Sequence, residues 1–151
     1  MALCVLVKEW AERRGSDVVA LTVDHKLREE STREAQQVKH WVNAMGIQQH
    51  TLTCDWPVRP SPSSLLHSAR RYRYKLLIDY CSTAAPNCGP KYPHLLTAHH
   101  QDDQIETFLL RMGQLFSGVD GLASIQPHHP SRQGVTIIRP LLSATKVFTK
   151  I

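Results

Sequence analysis

The segment DVVALTVDH, residues 17–25, is a near-continuous apolar run between two helical patterns. A run of this kind is typical of a parallel strand that helices cover on both faces. Further strand patterns occupy residues 47–54, 94–100 and 135–142, and a helical pattern precedes each of them. The alternation predicts an α/β fold with a doubly wound, mainly parallel sheet and helices on both of its faces.

The first two helices have marked ends in the sequence. A helix over residues 2–14 is predicted to end at Gly15, and one over residues 31–45 at Gly46. The second should begin at a capping box, S-T-R-E, in which Ser31 and Glu34 satisfy free backbone amides. The apolar faces are expected to bury Leu3, Leu6, Val7 and Trp10 in the first helix, and Val38, Trp41, Val42 and Met45 in the second.

Two more helices are predicted, one from residue 65 to about residue 82 and one over DDQIETFLLRM, residues 102–112. The segments between elements are rich in Pro, Gly and polar residues, which are typical of loops. They are PVRPSPSS, AAPNCGPKYP, SGVDGLAS and QPHHPSRQG.

The composition limits the class of protein. A chain of 151 residues, 42% hydrophobic and 21% charged, has the length and balance of one globular domain. No apolar run reaches the roughly 18 residues of a membrane span, and the start lacks the layout of a signal peptide, so no membrane partner is expected. The four cysteines form no CxxC pair, which favours free thiols over disulfides or a zinc site. The net charge of +5 permits a polyanionic partner such as RNA.

Polar clusters follow two of the predicted strands, VDH at residues 23–25 and AHHQDD at residues 98–103. Ligands of doubly wound sheets bind beyond the carboxyl ends of the strands. Both clusters are therefore expected to open onto one crevice.

The second cluster contains the acids of the following helix. Asp103 and Glu106 are three residues apart and share a helical face, while Asp102 and Glu106 offer an overlapping pair. Beside His99 and His100, such carboxylates can hold Mg²⁺, hold a substrate ammonium or move a proton. The alternative is a helix start at which acids complement the macrodipole. A metal hydrolase is disfavoured because no second ligand set has a matching spacing.

Three other segments carry weaker signals. VDHKLR, residues 23–28, turns Asp24 or His25 into the crevice or is only a polar turn. ARRYRYK, residues 69–75, interleaves basic and aromatic residues, which suits phosphates and bases, but it also suits a solvated helix face. SGVDGL, residues 117–122, has two glycines that can cradle a phosphate, although an ordinary loop is the default interpretation.

Five segments match one ordered set of family motifs. LTVDHKLREES is similar to V-D-H-G-L-R, and the segment 69–77 fits A-R-x-x-R-Y-x-x-L. TAHHQDDQIETFLLR fits H-H-x-x-D-Q-x-E-T-x-L-x-R, SGVDGLASI is similar to G-S-G-x-x-G-L, and IIRPLL is similar to I-R-P-L-L. Together they resemble the N-terminal domain of the tRNA(Ile)-lysidine synthetase family, a PP-loop ATPase. Residues 1–151 are accordingly interpreted as a partial ATP-binding domain with an adenine nucleotide α-hydrolase-like fold.

The resemblance implies a ligase reaction in two steps on a cytidine of the tRNA(Ile) anticodon. ATP adenylates C2 of the base through its oxygen and releases pyrophosphate; the ε-amine of L-lysine then displaces AMP. ATP and Mg²⁺ are the implied cofactors, and tRNA(Ile) and L-lysine the implied partners. A homodimer of the full-length form and a bacterial cytoplasmic, mitochondrial or plastid location are further expectations.

The resemblance also assigns site residues. Catalytic roles fall on Asp103, Glu106 and Arg139, with Asp103 also a metal ligand. Substrate contacts fall on His99, His100, Asp102 and Arg111. Nucleotide contacts fall on Val23, Asp24, His25, Ala98, Ser117 and Gly118, and RNA contacts on Arg70, Arg73 and Tyr74.

Departures from the family pattern set two expectations. The family opens with a strand and an S-G-G-x-D-S phosphate loop, whereas this sequence starts at the helix that follows; little or no ligase activity is expected of the 151-residue chain alone. Lys26 stands where glycine is common, which should alter the turn. The alternatives are a non-catalytic tRNA- or nucleotide-binding remnant and a PP-loop tRNA thiolase, which the missing CxxC disfavours.

Overall fold

The computed structural model describes residues 1–56, 60–61, 63–88, 94–113, 125–131 and 133–145. The predicted glycine-rich loop at residues 117–122, with Ser117 and Gly118, lies outside these ranges, and so does the side chain of Arg111. The elements in chain order are α1 (Ala2–Arg14), β1 (Val19–Asp24), α2 (Glu30–Ala44), β2 (Gln48–Thr53), α3 (Leu65–Cys88), β3 (His94–Leu96), α4 (Gln101–Gly113), β4 (His128–Pro130) and β5 (Thr136–Ile138). The α/β class is confirmed.

The chain divides into two compact units, residues 4–89 and residues 1–3 with 90–151. In the unit 4–89, β1 and β2 pair in parallel, from Val19 opposite Gln48 to Asp24 opposite Thr53. Helices α2 and α3 both pack against β1, and α2 also packs against β2. The carboxyl ends of the two strands therefore lie side by side, which positions the residues that follow them.

Helix α2 does not begin with the predicted capping box. Its N-cap is Glu29, in a helical conformation and without a side-chain cap hydrogen bond. The hydroxyl of Ser31 instead donates to Asp24, which lies seven residues earlier. Glu34 accepts from Arg28 at the surface. The capping-box prediction is wrong because the helix begins before Ser31. Ser31 therefore lies inside the first turn, where its hydroxyl donates to the Asp24 carboxylate instead of accepting from a free amide.

Helix α2 ends as predicted, at Gly46. This glycine has a φ of +74°, a conformation that L side chains rarely adopt. The amide of Gly46 donates to Asn43, and that of Ile47 donates to Val42, which completes a Schellman motif. Val42 and Ile47 are both buried, as the motif favours.

The predicted apolar faces are only half right. Leu6, Trp10 and Trp41 are exposed, at 47%, 57% and 49%. The small Ala11 and Ala35 are buried instead. Periodicity could not select between these faces, because alanine contributes little to an apolar pattern.

The second unit contains a three-stranded sheet in the order β3-β5-β4. β5 is parallel to β3 and antiparallel to β4. β4 corrects the prediction of a loop at residues 126–134. Its residues are polar or proline, and its antiparallel pairing with β5 makes it a strand. In the turn between these two strands the amide of Ser131 donates to Val135, and Gly134 has a φ of +78°. Leu95, Val135 and Ile137 are the buried apolar residues of this sheet.

The third and fourth predicted strands are shorter than expected. β3 ends at Leu96, and β5 ends at Ile138, after which the chain turns. The amide of Thr97 still donates to the carbonyl of Ile138, at 2.9 Å. The segments that follow β3 and β5 therefore begin next to each other, at Thr97 and Arg139. None of the helices in the described part of the chain is long and apolar enough to cross a membrane.

Candidate functional site

Asp24 occupies the carboxyl end of β1, where the residue is 3% exposed. Its Oδ1 accepts hydrogen bonds from the hydroxyl of Ser31, at 2.7 Å, and the amide of Lys26, at 3.0 Å. Its Oδ2 accepts from the hydroxyl of Thr32, at 2.7 Å. Both carboxylate oxygens therefore hold the loop between β1 and α2.

Burial alone would raise the pKa of Asp24, but its partners outweigh that effect. The hydrogen bonds from Thr32, Ser31 and the Lys26 amide, with the Lys26 ammonium, together lower this pKa below its ordinary value of 3.8. The carboxylate is thus ionised at neutral pH. Its negative charge organises the turn, and its role in binding a nucleotide stays a prediction.

His25 directly follows β1, at the carboxyl end of the β1–β2 pair. Its Nδ1 lies 3.5 Å from the thiol of Cys54, and its carbonyl accepts from the indole of Trp56 at 2.7 Å. Burial, and then the positive charge of Arg73, lower the pKa of His25 below 6.5, while Asp24 opposes them in part. The imidazole is therefore neutral at pH 7 and can accept or donate a hydrogen bond.

Cys54 completes this corner as a buried thiol, 2% exposed. Burial, and then the charge of Asp24, raise the pKa of Cys54 above 9.0, so the thiol stays protonated. Neither Cys54 nor Trp56 belongs to a motif that predicts a functional role. Both residues follow β2, whose carboxyl end lies beside that of β1. This position is the sequence signal that could have identified them as neighbours of His25.

The basic-aromatic segment lies on α3. The ring of Tyr74 has the guanidinium of Arg70 at 5.4 Å and that of Arg73 at 5.9 Å. Tyr72 contacts the ring of Trp56 at 4.8 Å between centroids and donates to the carbonyl of Asp55 at 2.6 Å. Tyr74 thus contacts the two arginines, and Tyr72 contacts Trp56 and Asp55. The arginines are the groups of this segment that suit phosphate.

In the second unit, Asp103 closes the start of α4. Its Oδ2 accepts from the amide of His100 at 2.8 Å, and the carbonyl of His100 accepts from the amide of Asp103. The His100 Nδ1 lies 3.3 Å from the same oxygen, within ion-pair range but without hydrogen-bond geometry. The helix-cap interpretation is therefore valid for Asp103, whose side chain is still one-third exposed.

The cap at the start of α4 is made by Asp103, and not by Asp102 or Glu106. Asp102 and Glu106 are both exposed. The Nδ1 of His99 lies 2.9 Å from the hydroxyl of Thr97. Among the residues that the structure describes, no three His, Cys, Asp or Glu side chains come together as a metal-binding group.

Arg139, directly after β5, is 8% exposed. Its Nη1 donates to the carbonyl of Gln126 at 2.6 Å, and its amide donates to the carbonyl of Pro127. Its Nε is buried and finds no partner among the described residues. A buried guanidinium with an unsatisfied N–H group is suited to binding an anion.

Residues 1–149 match the PP-loop domain. The chain belongs to the PP-loop domain family. Similar proteins include the tRNA(Ile)-lysidine synthases of Hyphomonas neptunium, 43% identical over 148 residues (94% of this chain, 37% of the relative), and Wolbachia pipientis wMel, 38% over 147 residues (97% and 32%). That of Bradyrhizobium strain BTAi1 is 40% identical over 148 residues (97% and 38%). This PP-loop chain spans about a third of the length of these relatives.

The predicted site residues thus fall in two groups. Val23, Asp24, His25, Arg70, Arg73 and Tyr74 belong to the unit 4–89. Ala98, His99, His100, Asp102, Asp103, Glu106 and Arg139 belong to the other unit. The shared crevice of the two clusters stays a prediction.

Proposed function

We propose that this PP-loop chain is the ATP-binding part of a ligase that joins L-lysine to an anticodon cytidine of tRNA(Ile). The similarity to tRNA(Ile)-lysidine synthases over 97% of the chain, at up to 40% identity, carries the proposal. The family match adds that an adenine nucleotide is the energy source. The missing CxxC pair in the sequence weighs against a thiolase.

The chemistry needs two activated groups. ATP, when bound, supplies an adenylyl group to the C2 oxygen of the base, with pyrophosphate leaving. The lysine ε-ammonium must then lose a proton so that its nitrogen can attack C2, with AMP leaving. The chain must therefore hold a polyphosphate and an ammonium.

We assign the ammonium to the acids of α4. Glu106 is exposed and lies one helical turn after Asp103, whose second oxygen, Oδ1, has no partner among the described residues. His99 and His100 precede them and offer ring nitrogens that can donate or accept a hydrogen bond. Asp102 is exposed beside them as a further substrate contact.

Mg²⁺ fits the donor chemistry but not as a standing site. This ion usually takes one or two protein carboxylates together with substrate phosphates and water. Asp103 and its acidic neighbours can supply such ligands, whereas no closed three-ligand group exists among the described residues. We therefore assign Mg²⁺ to the nucleotide, with Asp103 as its protein contact.

We assign nucleotide contacts within each unit by itself. Next to Val23 and Asp24, the neutral His25 offers ring and backbone groups to a base, and Ala98 is exposed after β3. Arg139, whose buried Nε has no partner among the described residues, offers positive charge to a phosphate, where charge develops as pyrophosphate leaves. For the RNA, Arg70 and Arg73 offer phosphate contacts, while Tyr74 supports both guanidinium groups.

The test is lysine incorporation into a tRNA(Ile) transcript by the full-length form, with binding of lysine and ATP·Mg²⁺ to this chain measured by calorimetry. Glu106→Gln should lower kcat/KM for lysine about tenfold or more, because a charged partner of the ammonium is lost. Glu9→Gln, at an exposed position of α1, is the matched control and should stay within about twofold. ATP-dependent binding of tRNA without any lysine incorporation would instead favour a non-catalytic remnant.

Two further expectations belong to the same proposal. A soluble location in a bacterial cytoplasm or an organelle matrix follows from the substrate, and cell fractionation would test it. A homodimer of the full-length form would be tested by sedimentation.

A further inference from the structure

Gln104, in the first turn of α4, makes two side-chain hydrogen bonds to the backbone of one residue. Its Nε2 donates to the carbonyl of Ile125 at 2.9 Å, and its Oε1 accepts from the amide of Ile125 at 2.7 Å. One amide group thus satisfies both backbone groups of a residue 21 positions later. A side chain paired in this way has one orientation, because both its donor and its acceptor are engaged.

Helix α4 has a second fixed point in the same turn. The amide of Gln101 donates to the carbonyl of Ala144 at 2.9 Å. With Gln104 held at Ile125, the first turn has two attachments to backbone outside the helix. They set the rotation of α4 about its axis, and hence the direction of the adjacent Asp103 and Glu106.

Arg139 is attached to the same short segment. Its guanidinium donates to the carbonyl of Gln126, and its amide donates to the carbonyl of Pro127. Residues 125–127 therefore contact α4 through Gln104, at Ile125, and contact Arg139 at Gln126 and Pro127. The acids and the arginine are linked through three consecutive residues.

We propose that Gln104 is a positioning residue: by holding Ile125 it fixes the acids of α4 relative to Arg139. The inference rests on the proposed function for the identity of the substrate, since lysine is taken as the ligand of those acids. The hydrogen bonds themselves do not depend on it. Gln104 touches no reacting atom in this assignment.

The experiment compares Gln104→Met with Gln101→Met. Methionine keeps the length and helix propensity of glutamine but makes neither hydrogen bond. Gln101→Met is the matched control, because its side chain is exposed and its backbone bond to Ala144 survives. Gln104→Glu keeps an acceptor for the Ile125 amide and loses the donor to its carbonyl.

Two readouts separate positioning from general stability. Hydrogen exchange of the Ile125 amide should accelerate about tenfold in Gln104→Met and stay unchanged in Gln101→Met. Lysine affinity should fall about tenfold in Gln104→Met, with a melting temperature within a few degrees of the control, and by less in Gln104→Glu.

The outcomes that contradict the inference are distinct. Unchanged exchange at Ile125 would show that Gln104 does not hold this segment. Faster exchange with unaltered lysine affinity would reduce Gln104 to a structural contact. If the wild-type chain binds no lysine while Ile125 is protected, the proposed lysine site is wrong and the attachment of α4 through Gln104 still stands.

Discussion

Lys26 has a φ of +48°, and no other non-glycine residue in the described part of the chain has a positive φ. Its amide donates to Asp24, so the left-handed conformation is needed to close the turn after β1. Lysine at this position predicts an altered turn, because the related motif has glycine. The turn keeps the conformation that suits glycine, and lysine adopts it.

We therefore predict that Lys26→Gly stabilises the protein. Relief of the left-handed conformation gains about 1–2 kcal/mol, and the greater freedom of glycine in the unfolded chain costs about 0.5–1 kcal/mol. The net gain in the free energy of unfolding should be about 0.5 kcal/mol, measured by urea denaturation. Lys26→Ala keeps the strained φ, so equal gains for both variants would contradict the explanation.

At the scale of elements, the junction between β1 and α2 depends on one charge. Asp24, at the end of β1, holds Ser31 and Thr32 in the first turn of α2. The strand thereby sets where the helix begins, and the helix supplies the donors that lower the pKa of Asp24.

This junction predicts a pH dependence of stability. Because the folded pKa of Asp24 lies below 3.8, its contribution is complete above about pH 5 and is lost as the pH falls through the folded value. Asp24→Asn should cost about 2 kcal/mol of unfolding free energy at pH 7, and the difference from wild type should shrink below pH 4. Asp17→Asn, at an exposed position, is the control. A deficit in Asp24→Asn that is the same at pH 3 and pH 7 would contradict the assignment.

The elements also show what the sequence could and could not predict. The strands at 19–24 and 48–53 and the helices that precede them follow from periodicity and from glycine stops at residues 15 and 46. β4 was missed because its pairing with β5, and not its composition, makes it a strand. The hydrogen bonds of Gln104 to Ile125 and of Ser31 to Asp24 were not predicted for a related reason. The tertiary structure brings these partners together, and no local sequence pattern indicates it.

At the scale of the whole molecule, the net charge of +5 gives a basis for binding RNA. Each protein cation that neutralises a phosphate makes the affinity more dependent on salt. Arg70 and Arg73, on one helix and over one tyrosine ring, are the pair most suited to act together.

We predict that Arg70→Gln with Arg73→Gln weakens tRNA binding and reduces the slope of log affinity against log salt by about two. Filter binding of tRNA(Ile) across a salt series would measure both. Arg33→Gln, exposed on α2, should leave the slope unchanged. An unaltered slope in the double variant would contradict the assignment of RNA contacts to Arg70 and Arg73.

The edge strand β4 has a consequence for assembly. Its three residues, His128, His129 and Pro130, are all exposed, and the strand contains an imino acid that cannot donate a backbone hydrogen bond. Open strand edges are templates for the addition of further chains, and shortness and proline are common protections against it. The β4 side of this sheet is therefore a poor template for aggregation, so copies of the protein that do associate should use a different surface.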